Sequence, residues 1–338
     1  MTSPLVSVVL PVCNGAADLP VAIDTILKQT FADFELIAIN DGSSDGTAAV
    51  LDGLRDPRVQ VIHQDNMGLA AALNRGIARA RGRYVARQDH DDWARPTRLE
   101  KQVAFLEANP DCALVGTRAE IWVGDRKTRR VHDHPTGNAA LQFELLFDNP
   151  FVHSSIMLRK SALITVGGYT TDRSRQPPED YELWSRLARH FEVANLPERL
   201  TIYREVPMSM SRLGPNPFQE KVILISAENL AYATGETRVA QPHRDIAALT
   251  HRAFHALSAD PDIEQLCSVV SRAGERMAIS AAGSDLRDRI QSRIVNLRHS
   301  HKDARCEKSS SPMAPLTSRM RRIRHLRWLR RQIARLGF

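Results

Sequence analysis

Residues 5–12 form a nearly unbroken apolar, β-branched run, the pattern of a strand buried on both faces. Residues 17–29 then carry Leu19, Ile23, Ile26 and Leu27 at helical spacing, with Asp18 near the start. A second buried strand is predicted over 34–39, a helix over 45–54 and a short strand over 59–62. An Ala-rich helix over 69–80 and a strand over 84–86 follow. This alternation predicts an α/β fold, a mainly parallel sheet flanked by helices. In such sheets ligands bind at the carboxyl ends of the strands. After Pro96 the pattern predicts a helix over 97–108 and a long strand over 112–123. Residues 125–135 are charged and read as a loop. The segment 151–158, Gly167-Gly168-Tyr169, a helix over 179–189 and the stretch 200–204 complete a first unit. Pro207, Pro215 and Pro217 mark its end. Helical patterns follow at 220–233, 244–257, 263–273 and 285–297, then a Ser/Pro stretch at 309–315. The expected organisation is a domain over 1–215, a helical extension over 216–308, and a linker with a basic tail over 309–338.

Charge sharpens this division. The chain has 46 Lys and Arg against 39 Asp and Glu, a net +7. Eight arginines (319, 321, 322, 324, 327, 330, 331 and 335) and no acid lie within 318–338, so the other 317 residues carry 38 against 39, or −1. A near-neutral body argues against a protein built to coat nucleic acid. Hydrophobic residues at 43% and charged ones at 25% are ordinary for a globular chain. The four cysteines (13, 112, 267 and 306) form no CxxC pair, which offers neither a zinc site nor a disulfide framework and fits a reducing compartment. The N-terminus has no basic region of a secretory signal, and no run of about 18 apolar residues exists. A cytoplasmic location is expected. In the tail, Ile323, Leu326, Leu329, Ile333 and Leu336 fall on one helical face, with Arg324, Arg327, Arg331 and Arg335 opposite and Trp328 near the border. Such a basic amphipathic helix suits an anionic membrane surface, here the inner face of the cytoplasmic membrane. A helix packed on the body, a disordered basic end and an RNA-binding arm are the competing readings.

Candidate chemistry gathers at three acidic segments. Asn40-Asp41-Gly42-Ser43-Ser44-Asp45-Gly46 follows the second strand; it reads as a turn with Ser44 or Asp45 capping the next helix, or as a site where Asp41 accepts a hydrogen bond from a base or ribose. Gln88-Asp89-His90-Asp91-Asp92 follows the strand at 84–86. Three carboxylates within four residues repel one another, and hard divalent ions are held by one or two carboxylates with phosphate oxygens. Pro177-Pro178-Glu179-Asp180 opens a helix; its acids complement the helix dipole, or one of them faces a cleft as a general base. Neither GxGxxG after the first strand nor GxxxxGK[ST] is present, which weakens nicotinamide-cofactor and P-loop readings. His132-Asp133-His134 lacks a matching set of metal ligands. His153 and Cys13 flank cleft segments and read as packing or minor substrate contacts.

Taken in order, these motifs resemble the family 2 glycosyltransferases with the GT-A, Rossmann-like nucleotide-sugar fold, from about residue 6 to 211. Val8-Val9-Leu10-Pro11-Val12-Cys13-Asn14 is similar to the family's first strand and nucleotide loop, with Cys13 where Tyr or Phe is common. Asn40 through Asp45 resembles the DDGSxD element. Asn66-Met67-Gly68-Leu69 through Asn74-Arg75-Gly76 resembles the following helix, with Leu73 where many members have Arg. Asp89-His90-Asp91-Asp92 resembles the DxDD metal motif, with His90 in place of a small residue. Phe151 to Ser155 with Gly167-Gly168-Tyr169 resembles the acceptor-side segment, and Glu179-Asp180-Tyr181-Glu182-Leu183-Trp184 the ED motif. The resemblance implies an inverting transferase of bacterial surface-glycan type that uses Mg²⁺ or Mn²⁺. Pro11, Val12, Asn14, Asp41 and Asp89 would bind the nucleotide sugar, Asp91 the metal, and Asp180 would be the catalytic base. A UDP- or dTDP-sugar is the implied donor and a glycan or lipid-linked hydroxyl the acceptor; no nucleic-acid partner is expected. A sugar nucleotidyltransferase, or a nucleotide-sugar-binding scaffold without catalysis, is the alternative. For the tail, liposome flotation is expected to require residues 318–338; equal flotation of the full and shortened chains would remove the membrane reading.

Overall fold

The N-terminal β-branched run forms β1 (Val6–Val12), and every one of its residues is buried. The computed structural model describes residues 3–206, 218–278 and 284–309. The proline-marked boundary at 207–217 and the basic tail therefore lie outside the described residues, as does the linker beyond 309. β1 runs parallel to β2 (Phe34–Asp41) on one side and β4 (Tyr84–Arg87) on the other, and β3 (Val59–Gln64) is parallel to β2. Side chains alternate across the sheet. Val9, Ile37 and Ile39 point to a face covered by α3 (Leu69–Arg79), whose Leu73 joins the same core. Val8, Leu10, Leu36 and Ala38 point to the other, covered by α1 (Leu19–Leu27) and α4 (Arg98–Ala108). α2 (Thr47–Asp52) crosses between β2 and β3.

The second half of the sheet departs from the parallel expectation. Its strands are β5 (Trp93–Ala94), β6 (Cys112–Val123), β7 (Arg126–His132), β8 (Met157–Arg159) and β9 (Glu192–Glu205). The nine strands run in the order β3-β2-β1-β4-β8-β6-β9-β5, with β7 on β6. β8 enters antiparallel between β4 and β6, so half of the eight strand pairings are parallel and the sheet is mixed. β8 and β7 share one edge of β6, pairing with its first and second halves.

The segment 125–135, read as a loop, is mostly β7. Its charged side chains are exposed, and charges of this kind keep an edge strand from pairing with other chains. β9 begins earlier than the stretch 200–204 because Pro197, Glu198 and Arg199 interrupt its buried pattern; the pairing with β6 slips register opposite them. Two short helices, α5 (Asn138–Glu144) and α6 (Lys160–Val166), were not legible as periodic segments. α7 (Glu179–Ala188) lies where the 179–189 pattern predicts it.

The C-terminal helices are α8 (Gln219–Thr234), α9 (Gln241–Thr250), α10 (Ile263–Ala278) and α11 (Ser284–Ser309). Their apolar faces enclose Phe143, Leu146 and Phe147 from the α5 region. Val222 and Ile225 of α8 enter the core that holds Trp184 of α7. The extension thus braces the helix that carries the ED motif. Among the described residues no helix is long and apolar enough to cross a membrane.

Gly76 tests the packing of α3 on the sheet. Alanine is the better helix former by about 1 kcal/mol. A Cβ at this position would meet Val9 Cγ1 at 2.5 Å and Ile39 Cδ1 at 2.8 Å, and overpacking of this kind costs about 1–3 kcal/mol. Packing is expected to win, so Gly76→Ala lowers the urea midpoint; a higher midpoint would show that propensity decides.

Candidate active site

A cleft of ≈ 680 Å³ opens at the carboxyl ends of β1, β2 and β4, within the size range of small-ligand sites. Pro11 and Val12 from β1, Asp41 from β2, Asp89 and Asp91 from the loop after β4, and Asp180 from the first turn of α7 all line it. Six of the seven residues singled out in the sequence therefore share one cavity. Asn14 does not line it. It sits at φ 56°, and its side-chain oxygen accepts the Ser44 backbone N–H at 2.8 Å. Its own N–H donates to Ser43 Oγ at 2.9 Å. Asn14 fastens the loop after β1 to the loop after β2.

Asp41 is almost fully engaged. Oδ1 accepts Gln64 Nε2–H at 2.7 Å and the Met67 N–H at 2.8 Å, while Oδ2 accepts the Gly68 N–H at 2.9 Å. Its carboxylate pins the loop between β3 and α3 and, among the described residues, leaves one acceptor position of Oδ2 unused. Asp45 takes the helix-start role, accepting the Thr47 N–H at 3.0 Å, and its carboxyl is held below the usual value chiefly by the Thr47 hydroxyl. His90 fits because position 15 is glycine: a Cβ there would lie 2.3 Å from its ring. Leu73 is buried in the core, so no phosphate contact comes from that position.

The acid loop is held from below. Gln88 Nε2–H donates to the Asp89 and Asp92 carbonyls at 3.0 and 2.7 Å. The wholly buried Arg98 donates to Gln88 Oε1 at 2.9 Å and to the Ser154 carbonyl at 2.7 Å. Asp92 Oδ1 accepts the Arg204 N–H at 2.7 Å, and Oδ2 accepts the Ser154 hydroxyl. Burial, and then the charge of Asp91, push the Asp92 carboxyl up to about 7. The Arg204 guanidinium donates to the Asp91 carbonyl at 3.0 Å and to Asp18 Oδ1 at 2.7 Å. With Asp92 turned inward, Asp91 and Asp89 are the acids of this loop that line the cleft. Asp89 pairs with Arg87, the last residue of β4. Arg87 is 2% exposed, and its Nε has no hydrogen-bond partner among the described residues.

Among the described residues no three His, Cys, Asp or Glu side chains gather around one point. The described residues alone offer no closed metal cage. A half-buried carboxylate lining the cleft, such as Asp91, nonetheless fits a Mg²⁺-like ion that takes its remaining ligands from phosphate and water. His132 and His134 also line the cleft. Their rings stack at 5.5 Å and 16°, and His132 meets Tyr203 edge-on at 5.2 Å. Burial depresses the His132 imidazole to about 4 and lowers that of His134 as well, so burial favours the neutral form of both rings in this aromatic wall.

On α7, Asp180 Oδ1 turns back to its neighbouring Tyr181 N–H at 2.7 Å, and Oδ2 accepts Asn149 Nδ2–H at 2.8 Å. Burial raises the Asp180 carboxyl; the Tyr181 N–H, Arg87 and Asn149 pull it back down. Burial and Asp180 raise the adjacent Glu179 to about 7. Sequence reasoning missed Arg87, Asn149 and Arg204. Each acts on residues distant in the chain, and none stands in a recognisable pattern.

The model of the family described as glycosyl transferase family 2 matches residues 7–167. EpsE of Bacillus subtilis (strain 168) is 36% identical over 211 residues, covering 60% of this chain and 74% of EpsE. The amylovoran biosynthesis glycosyltransferase AmsE of Erwinia amylovora is 32% identical, covering 64% of this chain and 82% of AmsE. Among solved structures, residues 1–349 of S. aureus TarS in complex with UDP-GlcNAc superpose with a TM-score of 0.58 at 16% identity, over 89% of this chain and 92% of that one. The mixed sheet, the C-terminal helices and these matches lead to one conclusion: the chain is a glycosyltransferase of family 2, built on the GT-A fold.

Proposed function

We propose that this enzyme transfers a sugar from a nucleoside-diphosphate sugar to an acceptor hydroxyl with inversion at the anomeric carbon, using a divalent cation. We infer a glycan or lipid-linked hydroxyl as the acceptor; a relative named for amylovoran biosynthesis supports the glycan-synthesis setting. The observation that carries the reading is the shared cleft: Asp91 and Asp180 line it from segments far apart in the chain, together with Cys13 of the loop after β1. TarS, on the same fold, is described with UDP-GlcNAc; a UDP- or dTDP-sugar is the donor we infer here.

In this mechanism Pro11, Val12 and Asp41 border the nucleoside, and Asp41 also keeps the loop at Met67 and Gly68 in place. Asp89, oriented by its pair with Arg87, faces the ribose side. Asp91 would hold the cation, which when bound would supply positive charge to neutralise the departing diphosphate. Asp180 Oδ2 takes the proton. As the acceptor O–H bond breaks, its oxygen bonds to the anomeric carbon, and the electron pair of the sugar–phosphate bond leaves with the nucleoside diphosphate. A single displacement inverts the centre.

Turnover is expected to fall by about 10²–10⁴-fold in Asp180→Asn, the usual contribution of a positioned base, while donor affinity is retained. Near-normal turnover in that variant would sink the assignment. The base works ionised and burial raises its carboxyl above the ordinary value of 3.8. The rate therefore falls as pH drops, with a midpoint above the range of an exposed aspartate; a midpoint within that range would contradict the burial argument. For Asp91→Ala, thermal shift across a panel of nucleotide sugars is expected to lose its dependence on added Mg²⁺ or Mn²⁺. Unchanged cation-dependent stabilisation would place the ion elsewhere.

A further inference from the structure

His153 and Tyr169 come together beside the proposed base, and the base mechanism alone uses neither. His153 stands in a short 3-10 turn, His153–Ser155, between α5 and β8. Tyr169 follows the Gly167-Gly168 pair, both at positive φ, 84° and 71°. Asn74 of α3 clamps Tyr169 at both ends of its backbone: Nδ2–H donates to the Tyr169 carbonyl at 2.8 Å, and the Tyr169 N–H donates to Oδ1 at 3.0 Å. The two rings sit against Trp184, at 5.8 Å for His153 and 6.1 Å for Tyr169. The Tyr169 hydroxyl lies 2.9 Å from His153 Nε2, and His153 Nδ1 lies 4.0 Å from Asp180 Oδ2. His153 and Asp180 both line the cleft.

Hydrogen-bond inventory fixes the tautomer. Burial and the charge of Arg87 keep His153 neutral, and burial keeps the Tyr169 phenol protonated. Among the described residues the phenol has no second acceptor. If Nε2 carried the ring proton, the buried O–H of Tyr169 would have no partner among the described residues, and an unpaired buried donor is costly. With Tyr169 donating to Nε2, the ring proton sits on Nδ1 and faces the Asp180 carboxylate. A gap of 4.0 Å is too long for a direct hydrogen bond. One oxygen atom placed about 2.8 Å from each side would bridge it.

We propose that His153 Nδ1–H and Asp180 Oδ2 clamp the acceptor hydroxyl, with Tyr169 fixing the His153 tautomer; this rests on Asp180 as the base. The hydroxyl oxygen accepts from Nδ1–H and its hydrogen points to Oδ2. One lone pair stays free for the anomeric carbon. His153 carries no proton away: the proton goes to Asp180 and Nδ1 keeps its own. The groups facing Asp180 are Glu179 on its own helix, Arg87 from β4, Asn149 from the loop after α5, and His153 and Tyr169.

Two readouts test this on the full-length protein. In ¹⁵N imidazole NMR without ligand, with the signal assigned by its loss in His153→Asn, wild type is expected to show Nε2 unprotonated, and Tyr169→Phe a mixture of tautomers. A protonated Nε2 in the wild type overturns the clamp alone. In kinetics, water serves as acceptor for slow hydrolysis of whichever nucleotide sugar the panel selects. His153→Ala is expected to lower kcat roughly tenfold, the loss of one hydrogen bond to a reacting group, with the donor KM unchanged. His153→Asn, whose amide N–H stands near the place of Nδ1–H, restores most of the rate, and His153→Gln does not. Equal rates for the Asn and Gln variants, or a change confined to donor KM, overturn the clamp while leaving Asp180 as base. Undiminished hydrolysis in Asp180→Asn instead removes the base, and the clamp with it.

Discussion

Asp92 lies sealed beneath the cleft with both carboxylate oxygens taken, one by the Arg204 N–H at 2.7 Å and the other by the Ser154 hydroxyl. A buried carboxyl is tolerated only when its hydrogen bonds are made. Those bonds join three segments far apart in the chain: the loop after β4, the turn at His153–Ser155 and β9. The turn that presents His153 is thus tied to the loop that presents Asp91. Arg98 reinforces the same joint from below through Gln88 and the Ser154 carbonyl. Loss of any one member would leave a buried polar atom without a partner, so the arrangement has little freedom to drift.

Arg87 answers the second constraint, the crowding of acids. Asp89, Asp91, Glu179 and Asp180 approach one cavity where water screens them poorly. The Arg87 guanidinium, itself destabilised by burial, lowers the pKa of both Glu179 and Asp180 and pairs with Asp89. It also helps keep His153 neutral. One cation therefore offsets part of the burial penalty on the Glu179 and Asp180 carboxylates and disfavours protonation of the imidazole.

Much of the fold is legible along the chain. β1, β2 and the first half of β6 are buried on both faces, and their apolar runs show it directly. β7 is a strand made of charges; its residues satisfy a ladder on β6 while facing water, so no apolar alternation betrays it. α5 and α6 span only seven residues each, two turns, too short for a helical period to stand out. The antiparallel insertion of β8 is invisible for another reason. Direction in a sheet depends on where the flanking segments pack, not on the three residues of the strand.

The acids at the site divide in the same way. Local sequence was enough to mark Asp41, Asp89, Asp91 and Asp180, because turn formers and carboxylates after buried strands carry their own signal. What each carboxylate does depends on partners remote in sequence. Asp41 spends most of its capacity on amides 26 and 27 residues away, and Arg204 reaches Asp18 across 186 residues. Asn14, marked for the ligand, instead ties two loops together. The chain by itself determined the family, the parallel half of the sheet and the positions of the acids, because these follow from short-range pattern. Only the tertiary structure decided which oxygens stay free and which nitrogen of His153 bears its proton, because hydrogen-bond direction is set by neighbours that folding alone brings within 3 Å.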